Sequence, residues 1–197
     1  MNLPTLRIHN PRGKRNYVYE GDLTTATVED IAKFIGDWKA GKLIPHIQSE
    51  PVPDVATVNG LTTVVGSTWN DIVMDDTKDV FIEHYAPWCG PCKALEPIWK
   101  ELGEKTKDMD DLVIAKMDAT LNEAQGLDIN GFPTVKFHPK GGKPVHDYKG
   151  KRAVVGDFMQ WLNEYEDSTA FKEGLMKRRE EREAEKEAAG DQTQEEL

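Results

Sequence analysis

The chain has 197 residues, 38% of them apolar and 30% charged, with a formal net charge of −10 and two cysteines. This length excludes a large multidomain enzyme but allows one buried domain of about 100 to 150 residues with extensions, and two cysteines exclude a disulfide-stapled secreted scaffold. No apolar run approaches the roughly 18 residues of a membrane span, the start Met1-Asn2-Leu3-Pro4-Thr5-Leu6-Arg7 has no apolar signal core, and the acidic balance argues against nucleic acid, so the expectation is a soluble chain with neither membrane nor nucleic acid as partner.

In chain order, residues 1 to 50 carry a charge of +1. Leu3-Pro4-Thr5-Leu6-Arg7-Ile8-His9 lines up with Phe132-Pro133-Thr134-Val135-Lys136-Phe137-His138, and each copy continues into a Gly/Lys turn, a Tyr-containing strand and an apolar-faced helix. In the first copy that helix bears Val28, Ile31, Ala32, Ile35 and Trp38. Residues 1–50 therefore read as the last third of a second, similar domain. About 50 residues seldom sustain a core alone, so this domain is expected to be incomplete. Pro51 and Pro53 forbid helix and mark 51–56 as an extended linker.

Residues 57–167 read as the main domain. Thr63-Val64-Val65 is predicted as a short strand, with Ser67 or Thr68 capping a helix over Trp69 to Val73. Asp79 to Tyr85 is a buried strand. Leu95, Ile98, Trp99 and Leu102 recur at helical spacing between Pro91 and Lys105, with Pro97 expected to kink that helix. Leu112 to Met117 is a second buried strand, followed by a short helix around Asn122 to Gln125. Thr134–Phe137 and Val145–Tyr148, joined by the Lys140-Gly141-Gly142-Lys143 turn, form a hairpin. A last helix shows Val154, Val155, Phe158, Trp161, Leu162 and Tyr165 on one face. Alternating strands and helices followed by an antiparallel pair imply an α/β fold, a mixed central sheet flanked by helices. In the tail, 168–197, the run Met176 to Glu187 has helix formers with almost nothing apolar to bury, which predicts a solvated, fraying helix followed by disorder.

The chemistry lies in Trp88-Cys89-Gly90-Pro91-Cys92-Lys93, between the strongest strand and the longest helix. There Cys89 meets the helix N-terminus, where unpaired backbone N–H groups and the helix dipole stabilise a thiolate. Cys92, one turn along, is placed to resolve a mixed disulfide formed at Cys89. Pro91 suits the first turn because its missing N–H would have had no partner. Three other readings exist. Structural zinc needs about four ligands, and His9, His46, His84, His138 and His146 show no ligand spacing. A structural disulfide closing so short a loop would restrict the unfolded chain little. Inert thiols leave Gly-Pro at a helix start unexplained.

Ala86-Pro87-Trp88-Cys89-Gly90-Pro91-Cys92-Lys93 resembles the active site of the thioredoxin superfamily, and Phe132-Pro133-Thr134 resembles its cis-proline loop. Val80 to Cys89 and Ala115-Lys116-Met117-Asp118-Ala119-Thr120 are similar to the second catalytic domain of protein disulfide isomerases. The stretch ending Gly41-Lys42-Leu43-Ile44-Pro45-His46 resembles the end of the non-catalytic domain before it. The resemblance implies a thioredoxin fold preceded by an incomplete thioredoxin-like domain. It implies that Cys89 attacks, Cys92 resolves, and Pro133 faces the cysteines and pairs with an extended substrate. Glu83 matches the buried carboxylate that relays protons to Cys92. A carboxylate on a buried strand is costly unless paired or functional, and pairing with Lys116, which would tune the relay, is compatible with both readings. Arg152 matches a mobile arginine that swings toward the resolving cysteine, although an arginine at a helix start is also an ordinary solvated residue. Trp88 and Phe132, with Tyr85, offer an apolar surface for unfolded chains.

The family's isomerase motif has His where this chain has Pro91. A His⁺ would stabilise the Cys89 thiolate and the reduced form, so this site is expected to be a weaker oxidant than an isomerase. The resemblance also implies no metal or organic cofactor, cysteine-containing client proteins as substrates, and glutathione or an upstream thiol oxidase as redox partner. The ending Gln194-Glu195-Glu196-Leu197 resembles endoplasmic-reticulum retrieval signals in its final Glu-Leu, which implies that compartment and an export signal upstream of an N-terminally truncated sequence. A cytosolic thioredoxin-type reductant and a chaperone-like binding module remain as alternatives.

Overall fold

The structure is a computed structural model. It describes residues 5–10, 15–124 and 126–192, and the chain divides into two compact units, Met1–Gln48 and Ser49–Leu197. Leu3 and Pro4 of the repeat, the expected terminal disorder and the ending Gln194 to Leu197 lie outside the described residues.

In the first unit β1 (Arg7–Asn10) and β2 (Arg15–Val18) pair antiparallel, with Ile8 opposite Tyr17. Helix α1 (Val28–Lys39) begins with a reciprocal cap: the Asp30 N–H donates to Thr27 Oγ1 at 3.2 Å and the Thr27 N–H to the Asp30 carboxylate at 2.9 Å. Tyr19 meets Phe34 edge-on at 5.5 Å, and Phe34 is the buried apolar side chain of this unit among the described residues. Val28 and Ile35 remain exposed. The hairpin-then-helix order repeats that of residues 134–164.

The second unit contains β3 (Thr57–Val58), β4 (Leu61–Thr63), a 3-10 turn at Gly66–Thr68, α2 (Trp69–Ile72), β5 (Asp79–Tyr85), α3 (Gly90–Thr106), β6 (Leu112–Asp118), β7 (Thr134–His138), β8 (His146–Asp147), α4 (Val155–Glu164) and α5 (Thr169–Gln192). One six-stranded sheet runs β3-β4-β6-β5-β7-β8. Strands β4, β6 and β5 are parallel, β7 is antiparallel to β5, and antiparallel hairpins close both edges. This is the mixed sheet that the alternating pattern predicts.

Strand β5 lies at the centre and is covered on both faces, so burial extends without alternation from Asp79 to His84, over the apolar Val80, Phe81 and Ile82 and the polar Asp79, Glu83 and His84 alike. Phe81 points to one side, where Trp99 of α3, Phe137, Tyr148, Phe158 and Trp161 surround its ring at 5.1 to 6.0 Å. The indole N–H of Trp99 donates to the Ala115 carbonyl at 2.8 Å and fastens α3 to β6. Val80 and Ile82 point to the other side, against Trp69 and Val73. Two glycines permit a close approach here. Asn59 and Gly60, both at positive φ, make the tight turn between β3 and β4, and a Cβ on Gly60 would run into the Gly103 carbonyl of α3.

Several expectations need correction. The strand expected at Thr63–Val65 is instead β4, Leu61–Thr63, and it is preceded by β3, because the Asn59-Gly60 turn pairs the two. Thr68 does not cap α2: its hydroxyl accepts from the Val65 N–H, and the Ser67 N–H goes to the Ser49 hydroxyl. No helix forms over Asn122 to Ala124, and Gln125 lies outside the described residues. There the buried Asn122 amide donates to Glu50 and the Asp118 carbonyl while its oxygen accepts from the Glu50 and Gly66 N–H groups, so side-chain bonds replace the helical ones. The β8 strand is two residues, shorter than Val145–Tyr148.

The tail helix also differs. It begins at Thr169, and its first turn is not solvated, because Ala170 and Phe171 join the main core. Further along, Arg178 donates to the Lys105 carbonyl at 2.8 Å.

Candidate functional site

Helix α3 starts where β5 ends, and Cys89 is its N-cap residue. The Cys89 sulfur accepts from the Cys92 N–H at 3.2 Å, and Pro91 occupies the first turn. Cys89 and Cys92 are joined as a disulfide, with Cα atoms 5.3 Å apart. The Phe132–Pro133 peptide is cis and leads into β7, which lies beside β5.

Both cysteines are nearly buried, at 5% and 4% exposure, so accessibility alone does not distinguish them. Their surroundings do. Cys89 lines an open cleft with Trp88, Pro91, Asn130 and Phe132. Trp88 is 72% exposed and meets Phe132 edge-on at 5.8 Å, an apolar lip beside the disulfide. Cys92 lines a different cavity, of about 240 Å³, which it shares with Glu83, Tyr85, Lys93, Glu96 and Lys116. Cys89 thus lines a cleft edged by apolar rings, and Cys92 a cavity that holds titratable side chains.

Glu83 is 3% exposed, and its Oε1 has no hydrogen-bond partner among the described residues. Lys116 is its register partner across the β5–β6 pair, but the two form no ion pair within 4.0 Å, so Glu83 is not the satisfied, paired core glutamate allowed for as an alternative. Burial pushes the Glu83 carboxyl up to about 7, against the opposing pull of Lys116, with Glu96 adding to the rise and Arg152 resisting it. The group thus titrates near neutrality, the condition for taking and returning a proton in each cycle. The Lys116 ammonium lies 5.9 Å from the Tyr85 ring centroid.

Arg152 does not line this cavity. Its Nη1 donates to the Pro133 carbonyl at 2.9 Å and its Nη2 to the Tyr148 carbonyl at 3.1 Å, so it braces the cis-proline loop. The structure thus brings Glu83, Lys116 and Cys92 together on one side and Trp88, Phe132 and Cys89 on the other, with Pro133 and Arg152 joined behind. Of the two carboxylates that line the cavity, Glu96 is the one absent from the sequence candidates. It lies four residues after Cys92, one helical turn along the same face, a spacing that was available in the sequence. Among the described residues no cluster of three or more His, Cys, Asp or Glu stands ready to hold a metal, and no helix is long and apolar enough to cross a membrane.

The family model described as Thioredoxin matches residues 60–164, more than half of the chain. The chain is 42% identical over 139 residues to the protein disulfide-isomerase of Oryctolagus cuniculus, covering 70% of this chain and 27% of that protein. It is 48% identical over 143 residues to that of Humicola insolens, covering 70% and 28%. A solution structure of the first thioredoxin domain of mouse protein disulfide-isomerase A4 is 29% identical with a TM-score of 0.44, covering 61% of this chain and 82% of that one. The chain spans about a quarter to a third of the length of the curated relatives it matches. With its mixed sheet, its Cys-Gly-Pro-Cys helix start and a family match through residues 60–164, the chain belongs to the thioredoxin family.

Proposed function

We propose that this chain is a thiol–disulfide oxidoreductase that forms, reduces and rearranges disulfides in cysteine-containing client proteins. The observation that carries this reading is that the two bonded cysteines line different hollows: Cys89 a cleft edged by exposed Trp88, Cys92 the cavity of Glu83. In the reducing direction the Cys89 thiolate, held ionised by the α3 N-terminus, attacks one sulfur of a client disulfide. A Cys89–client mixed disulfide forms and one client thiolate leaves. Cys92 then gives its proton to Glu83 and attacks the Cys89 sulfur. The second client thiolate leaves, and the enzyme holds the Cys89–Cys92 disulfide. In the oxidising direction a client thiolate attacks Cys89 and the same steps run backward. Lys116 faces Glu83 and steadies its ionised form. Trp88 and Phe132 take apolar client side chains, and Pro133, braced by Arg152, presents backbone to an extended client segment.

The likeness to protein disulfide-isomerases supports a setting in the endoplasmic-reticulum lumen, with glutathione or a thiol oxidase renewing the active form. The same likeness and the repeated hairpin-and-helix plan support reading residues 1–50 as a partial non-catalytic thioredoxin-like domain, 51–56 as a linker, 57–167 as the catalytic domain and 168–197 as a tail. A second reading, a general disulfide reductase, is favoured by Pro91 between the cysteines. Refolding of a scrambled disulfide protein separates catalysis from chaperone-like binding: Cys89→Ser abolishes recovery of native disulfides under the proposal. Undiminished recovery would mean that the cysteines matter little and only binding remains.

A further inference from the structure

Glu96 lines the cavity that contains Glu83, Lys116 and Cys92, and projects from α3 one turn beyond Cys92. Its side chain is half exposed, so it stands toward the solvent end, while Glu83 is buried with an unpartnered oxygen. We propose that Glu96 is a positioning residue of this site: from the solvent end of the cavity its carboxylate acts on Glu83, the buried group that accepts the proton of Cys92. The inference rests on the exchange reaction proposed above and adds a residue to it.

The chemistry is that of two carboxylates driven apart by their surroundings. Lys100, 2.7 Å from Glu96 on the next turn, holds the Glu96 carboxyl below the ordinary range, so Glu96 is ionised throughout the range in which Glu83 titrates. A fixed negative charge beside a buried acid opposes its ionisation. The other charged groups around Glu83 act in the opposite sense: Lys116 from β6 and Arg152 from the segment preceding α4 both favour the ionised form. Lys93 and the Tyr85 hydroxyl complete the titratable lining. When Cys92 loses its proton to Glu83 and attacks the Cys89 mixed disulfide, the proton must later reach water. Glu96 is thus placed to act on the Cys92 step, since Cys92 lines this cavity and Cys89 does not.

Ellman's reagent resolves the two steps in the full, reduced chain. The first thionitrobenzoate is released when Cys89 attacks, and the second when Cys92 resolves the mixed disulfide. With Glu96→Gln, the acid limb of the second release should move down by about half a pH unit, about threefold faster at pH 6, as expected for a partly screened like charge. The first release should keep its profile. Lys100→Gln should move the second limb upward, and in a Glu83→Gln background Glu96→Gln should shift nothing further. A second-release profile unchanged by Glu96→Gln, in a protein where Glu83→Gln does alter it, overturns the role of Glu96 alone, as does a Glu96→Gln shift that persists without Glu83. Absence of any second release from the unsubstituted chain overturns the exchange reading together with this one.

Discussion

The Asp79 carboxylate at the start of β5 accepts from the Ala170 N–H in the first turn of α5, 91 residues later, at 2.8 Å. Its other oxygen accepts from the Lys140 N–H at 2.8 Å. Asp79 is fully buried, so both donors depend on it. Asp79→Ala leaves one buried and one partly buried N–H group without partners and should cost about 2 to 3 kcal/mol, read as a lower urea midpoint, with new proteolytic cleavage near Phe171. An unchanged midpoint would show that α5 docks through Ala170 and Phe171 alone.

Glu83 destabilises the fold at neutral pH. Its carboxyl is raised from 4.5 to about 7 on folding, so the stability it contributes is complete below pH 4.5 and is lost as pH rises through about 7. Glu83→Gln should therefore make the oxidised protein more stable by about 3 kcal/mol at pH 8 and leave it little changed at pH 4. Equal stability of the two proteins at pH 8 would mean that ionising Glu83 costs the fold nothing and that burial does not raise its carboxyl. A residue that costs stability is kept for what it does, which is why this measurement bears on function.

His84 and His138 flank the Trp69 ring at 5.8 and 5.7 Å, and the Nε2 of each is buried without a hydrogen-bond partner among the described residues. Burial is the main cause that pushes the imidazoles down to about 3 and about 4; the Thr134 carbonyl and Asp147 oppose it at His84, while Lys136 reinforces it at both. With folded values depressed, these histidines contribute stability that is present above pH 6.5 and lost as pH falls toward 4. Each adds about 1.4 kcal/mol per pH unit to the slope in that window. Substituting either with Phe should flatten the slope by that amount. A slope that both single variants leave intact would show that these imidazoles are already charged in the folded state.

Pro91 contributes no charge beside Cys89. Thioredoxin lies at about −270 mV and the isomerase at about −180 mV, a separation of about 4 kcal/mol. Equilibration of this chain with glutathione should give a potential nearer the first figure, and Pro91→His should raise it toward the second. An unsubstituted chain already at about −180 mV would show that residue 91 does not set the potential.

The centre of the sheet and both ends of α3 were legible because β5 and β6 are built around the apolar runs at residues 80–82 and 112–115, and Cys89-Gly90-Pro91-Cys92 sits where a strand gives way to a helix. What escaped has physical reasons. Asn59-Gly60 was a readable hairpin signal, yet β3 is only two residues long and shows no alternation. The docked start of α5 depends on Asp79, and long-range hydrogen bonds leave no periodic trace. Asn122 forms side-chain bonds with residues 72 and 56 positions away, which outweigh its local helical pattern. At the site, Cys89, Cys92 and Glu83 could be singled out from residue type and position. The division of the two cysteines between separate cavities, and the presence of Glu96 in one of them, arise only when α3 is laid across the sheet.

The pH dependence of Cys89 alkylation in a Cys92→Ser background tests whether the α3 N-terminus makes this sulfur a nucleophile. A midpoint well below 8.5, the value of a free cysteine, is expected. A midpoint at about 8.5 would leave Cys89 an ordinary thiol and contradict the proposed exchange chemistry.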